Sequence, residues 1–395
     1  MNQVDYVPQI PYGTRDFLPK EAQQKRAIEG ALANLFFSWG YDEVVTPTFE
    51  YSDTIAAGAG GDILQSLFKF VDKDNRIVVL RPDMTTPIAR VAATRLKGTG
   101  TTARLFYLTN VFRQEQAQAG RQCEFYQAGV ELLGEAGPAA DAEVIALAAE
   151  AMVEAGLANF QISLGQVDFI NGILQETELA RRDQQRVMHS MIRRDLVGLD
   201  EFLAQSSLSP AIQKLLRQIP MLHGREELLD KAYGLVQNDI SRRALENLRE
   251  IYQLLGDYGM EKYVNFDLGI IRDMDYYTGM VMEAYTPGLG FPLCGGGRYD
   301  TMLAALGMES PATGFALGIE RMMLALERQG IAVDPGVPGL FIGWEKGCLP
   351  QAIRAARQYR QQGRRVGVAL CGQTQAEAAA IAKQQGYEVV EYLRK

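Results

Sequence analysis

The feature that most constrains this chain is a pair of segments at residues 111–134. Residues 123–133 alternate like a long strand, so successive side chains face opposite sides. Tyr126, Ala128, Val130 and Leu132 share one face, which is apolar and belongs against a core. Phe125, Gln127, Gly129, Glu131 and Leu133 share the other. That second face sets an amide and a carboxylate two positions apart, with a glycine removing bulk between them. Antiparallel pairing with 104–115 would bring Arg113 and Glu115 nearby. Such a face is expensive if dry and unpaired. Two readings stand: a floor that hydrogen-bonds a small polar ligand, or a solvated sheet face with a surface ion pair.

The rest of the chain organises around that pair. Lys20–Trp39 reads as a helix from its apolar spacing, stopped by Gly40. Leu67–Val71 and Ile77–Leu80 predict a hairpin around Asp74-Asn75. Thr86–Leu96, Asp141–Ala155 and Ile319–Arg328 read as helices. Residues of about 170–260 have helical periodicity and little strand signal, which predicts a helical insertion. Residues 1–334 form one expected domain and 335–395 a second, after a Pro/Gly linker. The tail alternates strand, helix, strand, helix, strand, and predicts a small parallel sheet.

Composition narrows the chemistry. The 395 residues carry 40 Lys plus Arg against 48 Asp plus Glu, which argues against a broad nucleic-acid surface. No run approaches the ~18 uncharged apolar residues of a membrane span. The N-terminus has no basic and then apolar leader. The two histidines, His189 and His223, leave little room for histidine catalysis. The four cysteines form no CxxC, which removes a Cys/His zinc site and fits a reducing cytoplasm.

Three further segments carry polar chemistry. In Arg272-Asp-Met-Asp-Tyr-Tyr-Thr-Gly, Tyr276 and Tyr277 would face opposite sides of an extended chain, one inward and one lining a cavity. The run Gly295-Gly-Gly-Arg-Tyr-Asp signals close backbone approach to a ligand or another strand, and taken alone favours a turn or bulge. It matches neither a P-loop nor a dinucleotide fingerprint. In Arg81-Pro-Asp-Met-Thr, Asp83 and Thr85 suit a helix cap or a ligand-facing turn.

Together these segments resemble class II aminoacyl-tRNA synthetases. The carriers are the helix and strand closing on Pro47, Phe112-Arg113-x-Glu115 with the following strand, and Gly314-Phe-Ala-Leu-Gly-Ile-Glu-Arg321. Arg81-Pro-Asp-Met-Thr, Gln118-Ala-Gly-Arg121, Phe125-x-Gln127, Arg272-x-x-Asp-Tyr-Tyr and Gly296-Gly-Arg-Tyr-Asp300 narrow it to the histidyl-tRNA synthetase branch. The chain departs from that enzyme in placing Asp83 where the pattern has Glu, and Asp273 where it has Gly. Its tail is similar to an anticodon-binding domain cut short. These departures, with Leu80-Arg-Pro-Asp-Met-Thr-Thr-Pro-Ile-Ala-Arg90 and Pro11–Pro19, resemble the regulatory subunits of ATP phosphoribosyltransferase.

The resemblance implies an α+β fold with a class II antiparallel sheet flanked by helices, and no catalysis of its own. It implies feedback control by bound L-histidine in the first step of histidine biosynthesis. The implied partner is a short-form catalytic subunit, with a homodimer of this chain inside a cytoplasmic hetero-octamer. It implies no cofactor, metal, tRNA or membrane. Asp83, Thr85 and Gln127 match positions that hold the α-amino group, and Arg113 and Arg272 those facing the carboxylate. Glu131, Tyr276 and Tyr277 match the imidazole end. Arg321 matches an arginine that stacks on adenine, kept as an ATP-binding remnant or as a structural ion pair. His189 and His223 match no pocket position.

Overall fold

The computed structural model describes residues 8–58, 61–96, 102–114, 122–270, 276–333 and 339–395. The chain divides into two compact units, Met1–Val333 and Asp334–Lys395. Glu115, the 116–121 loop, Arg272 and Asp273 lie outside the described residues, as do Pro335, Gly336 and Pro338.

The first unit is built on a nine-stranded sheet. Its strands are β1 (Asp42–Glu43), β5 (Ala103–Phe112), β6 (Glu124–Leu133), β7 (Gln161–Gln166), β8 (His223–Gly224), β9 (Val264–Asp267), β10 (Met280–Tyr285), β11 (Cys294–Arg298) and β12 (Ala312–Gly318). The order across it is β1-β5-β6-β12-β11-β10-β7-β9-β8. The middle is antiparallel, while β1 with β5 and β7 with β9 are parallel. A small antiparallel sheet joins β2 (Phe49–Tyr51), β3 (Lys69–Val71) and β4 (Ile77–Leu80) in the order β2-β4-β3. The expected hairpin turns between β3 and β4, and Asn75 takes a left-handed φ of 59° there.

β6 is central, paired to β5 on one side and β12 on the other. Its apolar face meets the main core: Ala128, Val130 and Leu132 are fully buried with Ile28, Leu32 and Phe36 of helix Pro19–Ser38 and the alanine-rich helix Pro138–Glu154. Its polar face is covered too. Met84, Ile88, Tyr107, Tyr276, Tyr299 and Leu303 form a second cluster there, with Leu133 inside it and Phe125 packed against it. The solvated-face reading therefore does not hold.

The helical insertion is the connection from β7 to its parallel neighbour β9. Parallel neighbours need a crossover, and this one is enlarged into several helices between Val167 and Asp257. Only β8 interrupts the helical character within it among the described residues.

Two sequence expectations need correction. The glycine run is no turn: Gly295–Gly297 sit in β11, between β10 and β12. A Cβ on Gly296 would strike the carbonyl of Gly314, and one on Gly297 would meet the carbonyl of Met280 at 2.5 Å. Close strand approach, not a bend, requires the glycines. Tyr276 and Tyr277 do not point apart. The chain turns at Tyr276, and the two rings lie 4.7 Å apart at 45°.

The second unit is a parallel sheet of β13 (Leu340–Trp344), β14 (Val366–Val368) and β15 (Val389–Leu393), in the order β14-β13-β15. Helices Leu349–Gln361 and Gln375–Gln384 make the connections, and Phe341, Ile342, Trp344, Ala352, Ala356 and Ala378 form its core. No helix among the described residues is long and apolar enough to cross a membrane.

Candidate effector site

A cavity of about 710 Å³ opens over the polar face of β6. Its floor follows from register. Gly314 of β12 stands opposite Glu131, and a Cβ there would collide with the Glu131 carboxylate. Tyr107 of β5 stands opposite Gly129, and its hydroxyl fills the space a Cβ on Gly129 would take. Glycine at these two positions lets a carboxylate and a phenol lie flat on the sheet.

Glu131 is only 2% exposed. Its Oε1 accepts from the Thr85 hydroxyl at 3.0 Å, and its Oε2 accepts a short hydrogen bond from the Tyr299 hydroxyl. Burial pushes its pKa up to about 8; the two hydroxyl donors oppose that rise and the nearby Asp83 adds to it. Burial, reinforced by the Glu131 charge, likewise holds the Tyr107 and Tyr299 phenols well above their usual value.

Asp83 is buried at the start of helix Thr85–Val91. Its Oδ1 accepts from the Thr86 N–H at 3.2 Å, so it does serve as a cap. Its Oδ2 has no hydrogen-bond partner among the described residues, and neither has Oε1 of Gln127. Both residues line the cavity. Burial raises the Asp83 pKa against the pull of the Arg113 charge and of the Thr86 N–H and hydroxyl. Arg113 also lines the cavity and donates from Nε to the Pro82 carbonyl at 2.8 Å.

The structure thus brings Asp83, Thr85, Arg113, Gln127, Glu131, Tyr276, Tyr277 and Arg321 to one cavity. The Thr85 hydroxyl, expected with Asp83 and Gln127 at the α-amino end, gives its one donor to Glu131 and keeps its acceptor lone pairs. Arg321 donates to the Pro292 carbonyl at 2.7 Å and lies 5.2 Å from the Phe291 ring centre. Both histidines are exposed and outside the cavity. Among the described residues no His/Cys/Asp/Glu group could hold a metal.

Sequence reasoning missed Tyr107 and Tyr299. Tyr299 lay inside the flagged Gly295–Asp300 run, where the glycines drew attention away from the aromatic. Tyr107 carried no local signal; only the register opposite Gly129 reveals it.

The family pattern described as histidyl-tRNA synthetase matches residues 13–322. The ATP phosphoribosyltransferase regulatory subunit of Desulforamulus reducens is 44% identical over 97% of this chain and 95% of its own length. That of Moorella thermoacetica is 42% identical over 96% of each. A crystal structure from Bacillus halodurans C, described as an ATP phosphoribosyltransferase regulatory subunit/histidyl-tRNA synthetase, superposes with a TM-score of 0.87 at 34% identity and covers 99% of both chains. Histidyl-tRNA synthetase from Nostoc sp. PCC 7120 shares the fold, with a TM-score of 0.85 at 20% identity over 99% of this chain and 92% of its own. With near-complete coverage at this identity, the chain belongs to the family of ATP phosphoribosyltransferase regulatory subunits.

Proposed function

We propose that the cavity over β6 binds L-histidine and that its occupancy sets the output of a catalytic ATP phosphoribosyltransferase subunit. The chain itself is the regulatory, non-catalytic member of that pair. The observation that carries the effector assignment is the set of unpaired buried acceptors on residues that share the cavity with Glu131: Asp83 Oδ2, Gln127 Oε1 and Gln122 Oε1. An α-ammonium offers three donors and no acceptor, and an acid with an amide oxygen suits it. The Arg113 guanidinium beside Asp83 suits the α-carboxylate, joined by Arg272 on the family pattern. Glu131 accepts from one imidazole nitrogen, and Tyr276 or Tyr277 meets the other. Each group of histidine then finds a partner, which is what discrimination against other amino acids needs.

The mechanism is linkage. Histidine that binds one state of the complex better shifts the complex toward that state, and the coupling is reciprocal. The partner is a short-form catalytic subunit, in a cytoplasmic hetero-octamer that holds this chain as a homodimer and binds no tRNA. Exposed apolar residues at the end of the first helix and around Pro47 support the homodimer contact: Phe37, Val45 and Phe49.

Reconstitution with a short-form catalytic subunit tests the reading. Activity that requires this chain and falls on adding histidine is expected. Robust ATP–pyrophosphate exchange driven by histidine in this chain alone would overturn it in favour of a histidine–tRNA ligase.

A further inference from the structure

The run Leu80–Thr85 supplies Asp83 and Thr85 to the cavity, yet Arg81 in the same run does not line it. Arg81 is 4% exposed. Its guanidinium donates to five acceptors on two other segments. Two are the carbonyls of Thr46 and Pro47, at 2.9 and 3.3 Å, on the segment leading into β2. The others are on β5: the Thr109 hydroxyl through a short bond, and the carbonyl and side-chain oxygens of Asn110 at 2.8 and 2.9 Å. No carboxylate is among its hydrogen-bond partners in the described residues. All five hydrogen bonds go to neutral acceptors, while the buried Glu50 carboxylate offsets part of the cost of burying the charge, so what the hydrogen bonds add is geometric.

The geometry concerns two of the unpaired acceptors, Asp83 Oδ2 and Gln127 Oε1. Thr109 is the direct cross-strand partner of Gln127. Asp83 follows Arg81 by two residues, and the backbone between is fixed: Arg81 N–H donates to Thr48 O, Phe112 N–H donates to Arg81 O, and Arg113 Nε donates to Pro82 O. One guanidinium therefore ties the Asp83 turn to the rung of sheet that carries Gln127.

We infer that Arg81 is a positioning residue for the ammonium end of the effector site, setting the spacing of Asp83 Oδ2 and Gln127 Oε1. The inference rests on the histidine reading above. Lysine cannot replace it, because a point charge with three donors cannot span a planar fork's acceptors on two segments.

The test compares Arg81→Lys with wild type in the full-length chain. L-Histidine binding is read by calorimetry. Binding of 3-(imidazol-4-yl)propionate, which keeps the imidazole and carboxylate but lacks the ammonium, is read by NMR titration. Loss of about tenfold in histidine affinity is expected, as for one charge-assisted hydrogen bond, with the analogue changed by less than about twofold. Adding Arg81→Lys to Asp83→Asn should cost little beyond Asp83→Asn alone. Should Arg81→Lys fail to fold, Thr109→Val removes one acceptor and is judged by the same selective loss. Equal losses for both ligands, or none, overturn the inference. Wild type that binds no histidine overturns the effector reading itself, a distinct result.

Discussion

The two faces of β6 are made from the same ten residues and do opposite things. Ala128, Val130 and Leu132 are fully buried in the main core, and their apolar side chains offer nothing for a polar ligand to bind. Gly129 and Glu131 are buried and Gln127 is half-buried beneath tyrosines and the turn at Asp83, and polar capacity is left over on Gln127. The first face stabilises; the second gives up stability to hold acceptors away from water. Burial alone does not mark a core, and the balance of satisfied and unsatisfied polar atoms separates the two roles.

Substitutions can sharpen or break that contrast. The largest effect on folding is expected from Leu132→Ala, which should lower unfolding free energy by about 2–5 kcal/mol in denaturant titration through a cavity in a packed core. Histidine affinity measured where the variant is folded should stay near wild type. A large change in affinity with little loss of stability would erase the distinction between the faces.

Glu131→Gln should do the reverse. Histidine binding in calorimetry should fall about a hundredfold, since the variant lacks the carboxylate proposed to accept from the imidazole. Its folding stability should differ from wild type only as pH rises. The folded pKa of Glu131 is about 8, above the ordinary carboxylate value. A raised acid contributes most below its unfolded pKa, and that contribution is lost as pH climbs through the folded one. Between roughly pH 4.5 and 8, wild type should lose on the order of a few kcal/mol relative to Glu131→Gln. Parallel stability curves across that range would refute the desolvated carboxylate.

A smaller effect is expected from Tyr299→Phe, which removes one of the two hydroxyls that donate to Glu131. The carboxylate pKa should rise further, visible by carbon-detected NMR titration, and histidine affinity should drop about three- to tenfold. Thr85→Val removes the other hydroxyl, whose bond at 3.0 Å is longer, and should shift the same titration in the same direction by less.

Parts of this molecule could be read directly from the chain. The tail alternates strand and helix over short distances, so its parallel sheet follows from local pattern and crossover rules. Helix Ile319–Arg328 and the β3–β4 hairpin were equally legible, because their apolar spacing and turn residues are local. The glycine run of β11 was not. Its glycines answer to the backbones of Gly314 and Met280, strands that local pattern does not connect to it. Tyr276 and Tyr277 failed as an alternating pair because the chain turns there, which two adjacent aromatics do not announce.

The candidate site divides the same way. The alternation of 123–133 by itself set Gln127 and Glu131 on one face of β6, and motif order brought out Asp83, Thr85 and Arg113. Whether that face was wet or dry depended on what covered it. Tyr107, Tyr299, Gly314 and the Asp83 turn come from separate stretches of the chain, and only the assembled tertiary structure brings them around one carboxylate. Within a regular strand, side-chain alternation is a property of neighbouring residues and is written in the chain. Desolvation sums over everything within a few ångströms, so the raised pKa of Glu131 and the unpaired oxygens of Asp83 and Gln127 belong to the tertiary structure alone.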